Sequence, residues 1–156
     1  MDWWQGRLEQ LLFNAIKLAV AFLLALPIAW EREKSTHSIG LRTFPLVAVA
    51  SCGYVLTALG VIESDENAKA RIIQGLMGGI GFIGGGAILK EGVNVRGTAT
   101  AASVWSTGAL GVAVAYAQYE VAVLISAFNY ATLRFLTPIE KRMFNSGQSS
   151  QDHPEK

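Results

Sequence analysis

Five apolar stretches alternate with short polar segments along the chain. They cover residues 11–30, 44–62, 72–89, 99–117 and 119–136. A hydrocarbon core of ~30 Å is crossed by about 20 apolar residues in a helix. An unpaired backbone group costs several kcal/mol in lipid, so such a stretch must fold as a helix. The pattern predicts an all-α, polytopic membrane protein with about five transmembrane helices.

The third stretch is unusual because it combines an uncharged run with many glycines. No charge occurs from Ile72 to Leu89, and seven of the twelve residues from Gly75 to Gly86 are glycine. Each internal glycine costs a water-exposed helix roughly 1 kcal/mol relative to alanine. In lipid the helix is nearly compulsory. We therefore expect a glycine-rich transmembrane helix.

The glycines of this helix collect on one face. Small residues allow another helix to approach closely, and such packing drives helix association in lipid. We expect the glycine face to meet protein, within a helical hairpin or across a dimer, and the opposite face to meet lipid. The glycine face holds Gly75, Gly78, Gly79, Gly81, Gly85 and Gly86, and the opposite face holds Leu76, Ile80, Ile83 and Ala87.

A second span rich in small residues follows directly. The polar loop from Lys90 to Gly97 leads into Thr98 and the Ala/Ser/Thr-rich fourth stretch, where Trp105 is the one large side chain of the first half. We expect the two spans to form a tightly packed antiparallel hairpin at the centre of the fold, with Trp105 filling space beside the small residues.

Positive charges are unequally divided between the two sides that five spans would define. One side carries eight lysines and arginines and the other three, which predicts an N-out, C-in topology because cytoplasmic loops are the richer ones. The eight are Arg32, Lys34, Arg42, Lys90, Arg96, Lys141, Arg142 and Lys156, and the three are Arg7, Lys69 and Arg71.

We expect residues 1–143 to form one membrane domain and residues 144–156 a disordered, polar cytoplasmic tail. The first stretch lacks a small-residue cleavage site and is followed by four more spans, so it is not a removed signal peptide. Asn14 and Lys17 share a face near its beginning. Lys17 either reaches the membrane interface or is an intramembrane charge with a function.

Composition agrees with the membrane class. Of the 156 residues, 51% are hydrophobic and 16% charged, against roughly 25% charged in soluble domains. No basic stripe with interleaved aromatic residues suggests nucleic-acid binding. Cys52 is the only cysteine and lies in an apolar run, so it is assigned to packing.

Signals of catalysis and of bound cofactors are weak. Gly79 to Gly84 matches the dinucleotide pattern G-x-G-x-x-G, but it lies inside an apolar span rather than between a strand and a helix. His37 and His153 have no metal-ligand or catalytic spacing. The sequence therefore predicts no enzyme activity, no metal site and no cofactor.

Charged and polar residues bordering the spans are the remaining candidates. Glu31 and Glu33 can pair with Arg42 and Arg96 in a structured cytoplasmic rim site, or the arginines can anchor their helices to headgroups. The candidate rim comprises Glu31, Arg32, Glu33, Arg42, Lys90, Asn94 and Arg96, and Asp65 and Arg71 belong to a periplasmic loop.

These residues form an ordered set of motifs from about Leu24 to Leu136. They are Glu31-Arg32-Glu33, Gly40-Leu41-Arg42-Thr43, Arg71-Ile72-Ile73 with Gly75, Gly79-Ile-Gly81-Phe82-Ile-Gly84-Gly85-Gly86, Ala87-Ile88-Leu89-Lys90, Gly92, Asn94-Val95-Arg96-Gly97, Thr100-Ala101-Ala102, Trp105, Gly111 and Tyr119. In this the chain resembles the MgtC/SapB family of bacterial inner-membrane proteins.

The resemblance implies a five-span membrane domain concerned with magnesium homeostasis, adaptation to low magnesium and, in pathogens, survival inside host cells. It also implies action by modulating other membrane proteins, including the ATP synthase, rather than by carrying magnesium. The chain is expected to be a short member without the ACT-like C-terminal domain. Leu26 to Trp30 replaces the small-residue run usual before the Glu-Arg-Glu segment.

Two functions remain open at this point. One is a non-enzymatic regulator that forms a homodimer or other homo-oligomer in the bilayer and binds another membrane complex. The alternative is an oligomeric transporter or channel for an ion, such as magnesium, or a small solute. Polar residues available for a path are few: Asn14, Lys17, Gln74, Glu120, Asn129 and Arg134.

Overall fold

The computed structural model describes residues 3–36, 40–62, 65–91 and 94–136 and has five α-helices in them. The helices are α1 (Trp3–Thr36), α2 (Thr43–Val61), α3 (Glu66–Gly85), α4 (Thr98–Ala115) and α5 (Tyr119–Ala131), which continues into a π-helical turn (Thr132–Leu136). Each predicted span overlaps one helix, so the all-α expectation is confirmed. Three helices, α1, α2 and α4, are long and apolar enough to cross a membrane.

The link between α3 and α4 adds an element that the sequence pattern did not predict. It forms a two-stranded antiparallel ribbon of β1 (Leu89–Glu91) and β2 (Asn94–Arg96), in which Leu89 is opposite Arg96. The predicted span 72–89 therefore ends earlier, and the helix stops at Gly85. α3 and α4 pack against each other on either side of this ribbon.

Helix α1 is longer than the apolar pattern predicted. It has 34 residues and is therefore about 51 Å long, and Pro27 lies inside it. The charged run from Glu31 to Lys34 was expected to end the first span, but the helix continues through it because these residue types have good helix propensity. The Lys34 ammonium lies 5.3 Å from the centre of the Trp30 ring.

Helix α4 is the centre of the bundle and packs against the other four helices. Its small residues make this possible. A Cβ atom at Gly111 would overlap the carbonyl oxygen of Ala48 and lie 2.9 Å from the Ser51 Cβ, so α2 crosses α4 in near backbone contact. The largest fully buried side chains of the described bundle include Phe44, Ile28 and Leu110.

Packing between α3 and α4 uses different residues from those expected. The Ile80 side chain fills the space above Gly108, where an added methyl group would overlap its Cδ1, and a Cβ at Gly84 would lie 3.1 Å from the Ala101 carbonyl oxygen. Ile80 and Ala87 are buried. The prediction that their face meets lipid was wrong for these two residues. For Ile80 the reason is that the notch at Gly108 accepts its branched side chain.

The face expected to meet protein instead points outward in this single chain. A Cβ at Gly75, Gly78, Gly79, Gly81 or Gly85 would meet nothing within 4 Å, and one at Gly86 would meet only its own helix. Packing of this face inside the hairpin was therefore wrong, whereas packing across a dimer stays a prediction. Trp105 does not fill internal space either, since 46% of it is exposed.

Two polar contacts join α1 to the hairpin of α4 and α5. The Lys17 ammonium donates to the carbonyl oxygen of Ala115 (2.8 Å), the last residue of α4, and Ser126 Oγ donates to the Leu24 carbonyl oxygen (2.7 Å). A cation at a helix C-terminus is favourable because the helix dipole is negative there. Lys17 is thus turned toward the bundle and binds a helix end.

Candidate functional site

The candidate rim lies where α1 ends and where α2 and α4 begin. Because Lys17 binds the end of α4 and Ser126 binds α1 near its middle, α4 and α5 lie alongside α1. The start of α4 is therefore toward the same end of α1 as Glu33. The structure thus brings the end of α1, the 40–43 turn and the ribbon to one end of the bundle.

Glu33 joins two of the sequence motifs. Its Oε2 accepts a hydrogen bond from the Leu41 backbone N–H (3.1 Å). A Cβ at Gly40 would overlap this carboxylate and lie 2.9 Å from the Glu33 Cα. The carboxylate can therefore pass over position 40 only because that residue is glycine. The Glu-Arg-Glu and Gly-Leu-Arg-Thr segments are therefore in direct contact just before the start of α2.

The predicted pairing of arginines with these glutamates is not seen for Arg42. In the parts of the chain that the structure describes, no ion pair joins Arg42 to Glu31 or Glu33. The Glu33 carboxylate binds the backbone instead, and Arg42 is exposed at the start of α2. Arg32 is buried, with 5% of its surface exposed, and Glu31 is half-buried.

The ribbon presents the rest of the candidate rim. Arg96 is exposed on β2. Lys90 is opposite Val95 and Asn94 is opposite Glu91 in the ladder. The side chains of Lys90 and Asn94 lie outside what the structure describes, so their predicted role stays a prediction. Two candidate arginines, Arg42 and Arg96, are thus exposed on the polar end of the bundle.

Gly97 holds the ribbon against the end of α3. It has a φ of 88°, in the left-handed region, and caps the N-terminus of α4. A Cβ there would overlap the Ala87 carbonyl oxygen and lie 3.0 Å from its carbon. The Asn94-Val95-Arg96-Gly97 motif therefore ends in a residue whose place only glycine fits.

The candidate residues on the other side of the bundle have a local structural role. Asp65 caps α3, because its Oδ1 accepts hydrogen bonds from the N–H groups of Asn67 (2.9 Å) and Ala68 (3.2 Å). Glu66 binds Lys69 at 2.8 Å, and this hydrogen bond raises the pKa of Lys69. Arg71 is exposed. An aspartate directly before a helical stretch is a capping signal, so this role is visible in the sequence itself.

A polar cluster between α4 and α5 was also missed. The Ser103 carbonyl oxygen accepts from Thr107 Oγ1 (2.8 Å), Ser106 Oγ (3.2 Å) and Asn129 Nδ2 (3.4 Å). Asn129 Nδ2 also donates to Ser106 Oγ. The cluster lies beside a groove of about 480 Å³. It links the two helices, so Asn129, named above for a transport path, has a bonding role inside the bundle.

Two further features of the described residues concern what the protein could bind: metal-ligating side chains and an apolar groove. Among the described residues, no three His, Cys, Asp or Glu side chains are grouped closely enough to hold a metal ion. A groove of about 550 Å³ lies between α2 and α3 and is almost entirely apolar. Ser51, Gly75 and Gly79 are among the residues that line it.

Comparison with known proteins finds relatives that match most of the chain. The profile of the MgtC family matches residues 18–142. Protein MgtC of Brucella abortus is 37% identical over 131 residues, which is 84% of this chain and 54% of that protein. Protein MgtC of Salmonella typhimurium is 35% identical over 105 residues, 67% of this chain and 44% of that protein.

An uncharacterized protein of Synechocystis is 37% identical over 111 residues, 71% of this chain and 47% of that protein. The chain thus spans about half the length of the curated relatives it matches. No solved structure matches it. The matched region contains the rim residues at the end of α1, at the start of α2 and in the ribbon, and it contains all of α3 and α4. The chain belongs to the MgtC family.

Proposed function

We propose that this chain is a non-enzymatic protein of the bacterial inner membrane that supports growth at low magnesium by modulating another membrane protein. The observation that carries the proposal is the family match over residues 18–142, which includes the rim and the packed hairpin. The magnesium role is what resemblance to that family implies. No cofactor is needed for such a role.

Internal bonding supports a regulator over a transporter. The polar groups of Lys17, Ser126 and Asn129 each bind another helix. Ion paths across a bilayer use ionisable or polar groups that face an aqueous cavity. Groups that already bind another helix are poorly placed to line an ion path. Arg42 is exposed at the start of α2, where another protein can reach it.

The same proposal includes five membrane spans, with α3 and α5 added to the three long apolar helices. The charge bias supports an N-terminus outside and a rim in the cytoplasm. A reporter that works only in the periplasm should be inactive when fused after Leu136 and active when fused after Ile62, between α2 and α3. Activity at both positions would contradict this topology.

Growth in low magnesium tests the function. Deleting the gene in its own bacterium should lower the growth rate in low-magnesium medium, and a plasmid copy should restore it. Magnesium repletion is the control, and under it the two strains should grow alike. Affinity capture of the tagged chain in mild detergent should recover a specific membrane complex. Selective ion flux through the purified chain in liposomes would instead support a transporter.

The rim arginines provide a matched pair of variants for this assay. Lysine keeps the charge but cannot make the planar bidentate contact of arginine. We expect Arg96→Lys and Arg42→Lys to lose complementation while inserting with unchanged topology. Lys34→Arg, near the end of α1 that borders the rim, is the control variant and should restore growth. Full complementation by both lysine variants would reduce the arginines to membrane anchors.

A further inference from the structure

The apolar groove between α2 and α3 begins at the rim and follows both helices toward the middle of the bundle. Its exposed edges are formed by Leu46, Ala50 and Tyr54 from α2 and by Gly75, Gly79 and Ile83 from α3. We propose that this groove holds one acyl chain of an anionic phospholipid from the leaflet at the rim, with the lipid phosphate bound to Arg42. The inference rests on the membrane placement of α3 proposed above.

The length of the groove matches the depth of one leaflet. Along α2 its lining extends from Thr43 to Tyr54, eleven steps of 1.5 Å, or about 16 Å. The 19 residues of α2 make a helix of about 28 Å, which just crosses a hydrocarbon core of ~30 Å. The start of α2 then lies at the hydrocarbon boundary on the rim side. The groove therefore extends from that boundary to the middle of the bilayer, which is the depth that one acyl chain occupies.

Arg42 lies at the open end of the groove, at the level of the phospholipid headgroups. It directly precedes Thr43, which lines the groove, and it is one helical turn from Leu46. Side chains tilt toward the N-terminus of their helix, so the guanidinium extends from the end of the groove toward the membrane surface. Arg42 is exposed, and no ion pair in the described parts of the chain involves it.

The charge of Arg42 selects the class of lipid. A guanidinium binds a phosphate through two parallel hydrogen bonds, and such charge-assisted bonds are stronger than neutral ones. A zwitterionic lipid carries its own ammonium group, which competes with Arg42 for the phosphate. An anionic lipid has no such group. Its acyl chain fits the apolar lining, and its phosphate provides the partner for Arg42.

Glycine keeps the α3 side of the groove open and provides a matched pair of variants. A Cβ at Gly79 would meet nothing within 4 Å, so Gly79→Leu places its side chain in the groove without a clash at the backbone. Gly78 has the same open space at its Cβ but does not line the groove. Gly79→Leu and Gly78→Leu therefore make the same change, and only the first fills the proposed site.

Competition between two lipids for the purified full chain tests the phosphate contact. Native mass spectrometry in detergent with equal amounts of phosphatidylglycerol and phosphatidylcholine measures which lipid is retained. The natural chain should retain phosphatidylglycerol about tenfold more, the effect expected of hydrogen bonds to a charged group. Arg42→Gln should remove this preference. Arg71→Gln, at an exposed position near the other end of the bundle, should keep it. Equal retention of the two lipids by the natural chain, or an unchanged preference in Arg42→Gln, would overturn the inference.

Photocrosslinking in liposomes locates the acyl chain. Phosphatidylglycerol with a diazirine near the end of one acyl chain should attach near Tyr54 and Gly75, at the deep end of the groove. Gly79→Leu should abolish most of this labelling, and Gly78→Leu should leave it unchanged. Ala50→Leu fills the groove from the α2 side and gives the same test if Gly79→Leu does not fold. Labelling spread evenly over α1 and α5 would indicate bulk lipid only, and a groove without label would indicate that protein covers it. Either result would contradict the proposal.

The lipid site and the magnesium role fail separately. If the chain shows no preference for phosphatidylglycerol but its deletion impairs growth at low magnesium, the lipid site is wrong and the proposed function stands. If the preference is present and deletion has no growth phenotype, the magnesium role is wrong and the lipid site stands. A reporter pattern in which α3 does not span the membrane would place the groove outside the hydrocarbon core and overturn this inference.

Discussion

Gly111→Ala should disrupt the contact between α2 and α4 and strongly destabilise the protein. The added methyl group would overlap the Ala48 carbonyl oxygen and approach the Ser51 Cβ to 2.9 Å. Backbone cannot swing aside as a flexible side chain can, so the two helices must separate. Overpacking of this kind costs typically about 1–3 kcal/mol, and we expect the upper part of that range. Unfolding by sodium dodecyl sulfate, followed by circular dichroism, measures it.

Gly60→Ala is the matched control for this prediction. Gly60 lies on α2, and a Cβ there would meet nothing within 4 Å. Alanine favours a helix over glycine by about 1 kcal/mol, so the variant should be as stable as the natural chain or slightly more so. Similar losses at both positions would show that glycine content, rather than close approach at Gly111, limits stability.

Much of this packing was predictable from residue type, but its direction was not. The small residues of α3 and α4 indicated close helix contact, and Gly84 and Gly108 lie at two such contacts. Which helix face turns inward depends on the partner's surface. Ile80 is buried because α4 has a notch at Gly108, and no periodicity within α3 contains that information. Hydrophobicity does not distinguish a lipid-facing side of α3 from a protein-facing side, because lipid and a protein interior are both apolar.

The rim illustrates the same limit for polar residues. The sequence predicted that Glu33 can pair with Arg42, and in the structure Glu33 instead accepts a hydrogen bond from the Leu41 N–H of the 40–43 turn. Whether the carboxylate binds an arginine or a backbone N–H depends on the path of the turn, which the sequence pattern does not give. Likewise, the sequence left open whether Lys17 reaches the interface or is an intramembrane charge, and its partner, Ala115, is 98 residues away. Long-range partners of single polar groups follow only from the assembled helices.

Gly97→Ala should prevent the ribbon from docking on α3 and should be as damaging as Gly111→Ala. Two penalties combine at this position. A φ of 88° is unfavourable for alanine, at roughly 1–2 kcal/mol, and the new Cβ would overlap the Ala87 carbonyl oxygen. We expect poor membrane accumulation and, in surviving protein, increased protease cleavage between α3 and α4. Gly86→Ala is the control, because its Cβ would keep an ordinary distance of 3.4 Å from the Ile83 oxygen.

A second substitution separates the two penalties at Gly97. Asparagine tolerates the left-handed region better than alanine but carries the same Cβ atom. If backbone conformation alone required glycine, Gly97→Asn would recover most of the protein level. Because the Cβ itself would overlap the Ala87 carbonyl oxygen, we expect Gly97→Asn to fail as Gly97→Ala does. Recovery by asparagine, measured as membrane-inserted protein per cell, would mean that α3 and β2 can move apart at this point. The rim would then be an adjustable turn rather than a fixed surface for a partner.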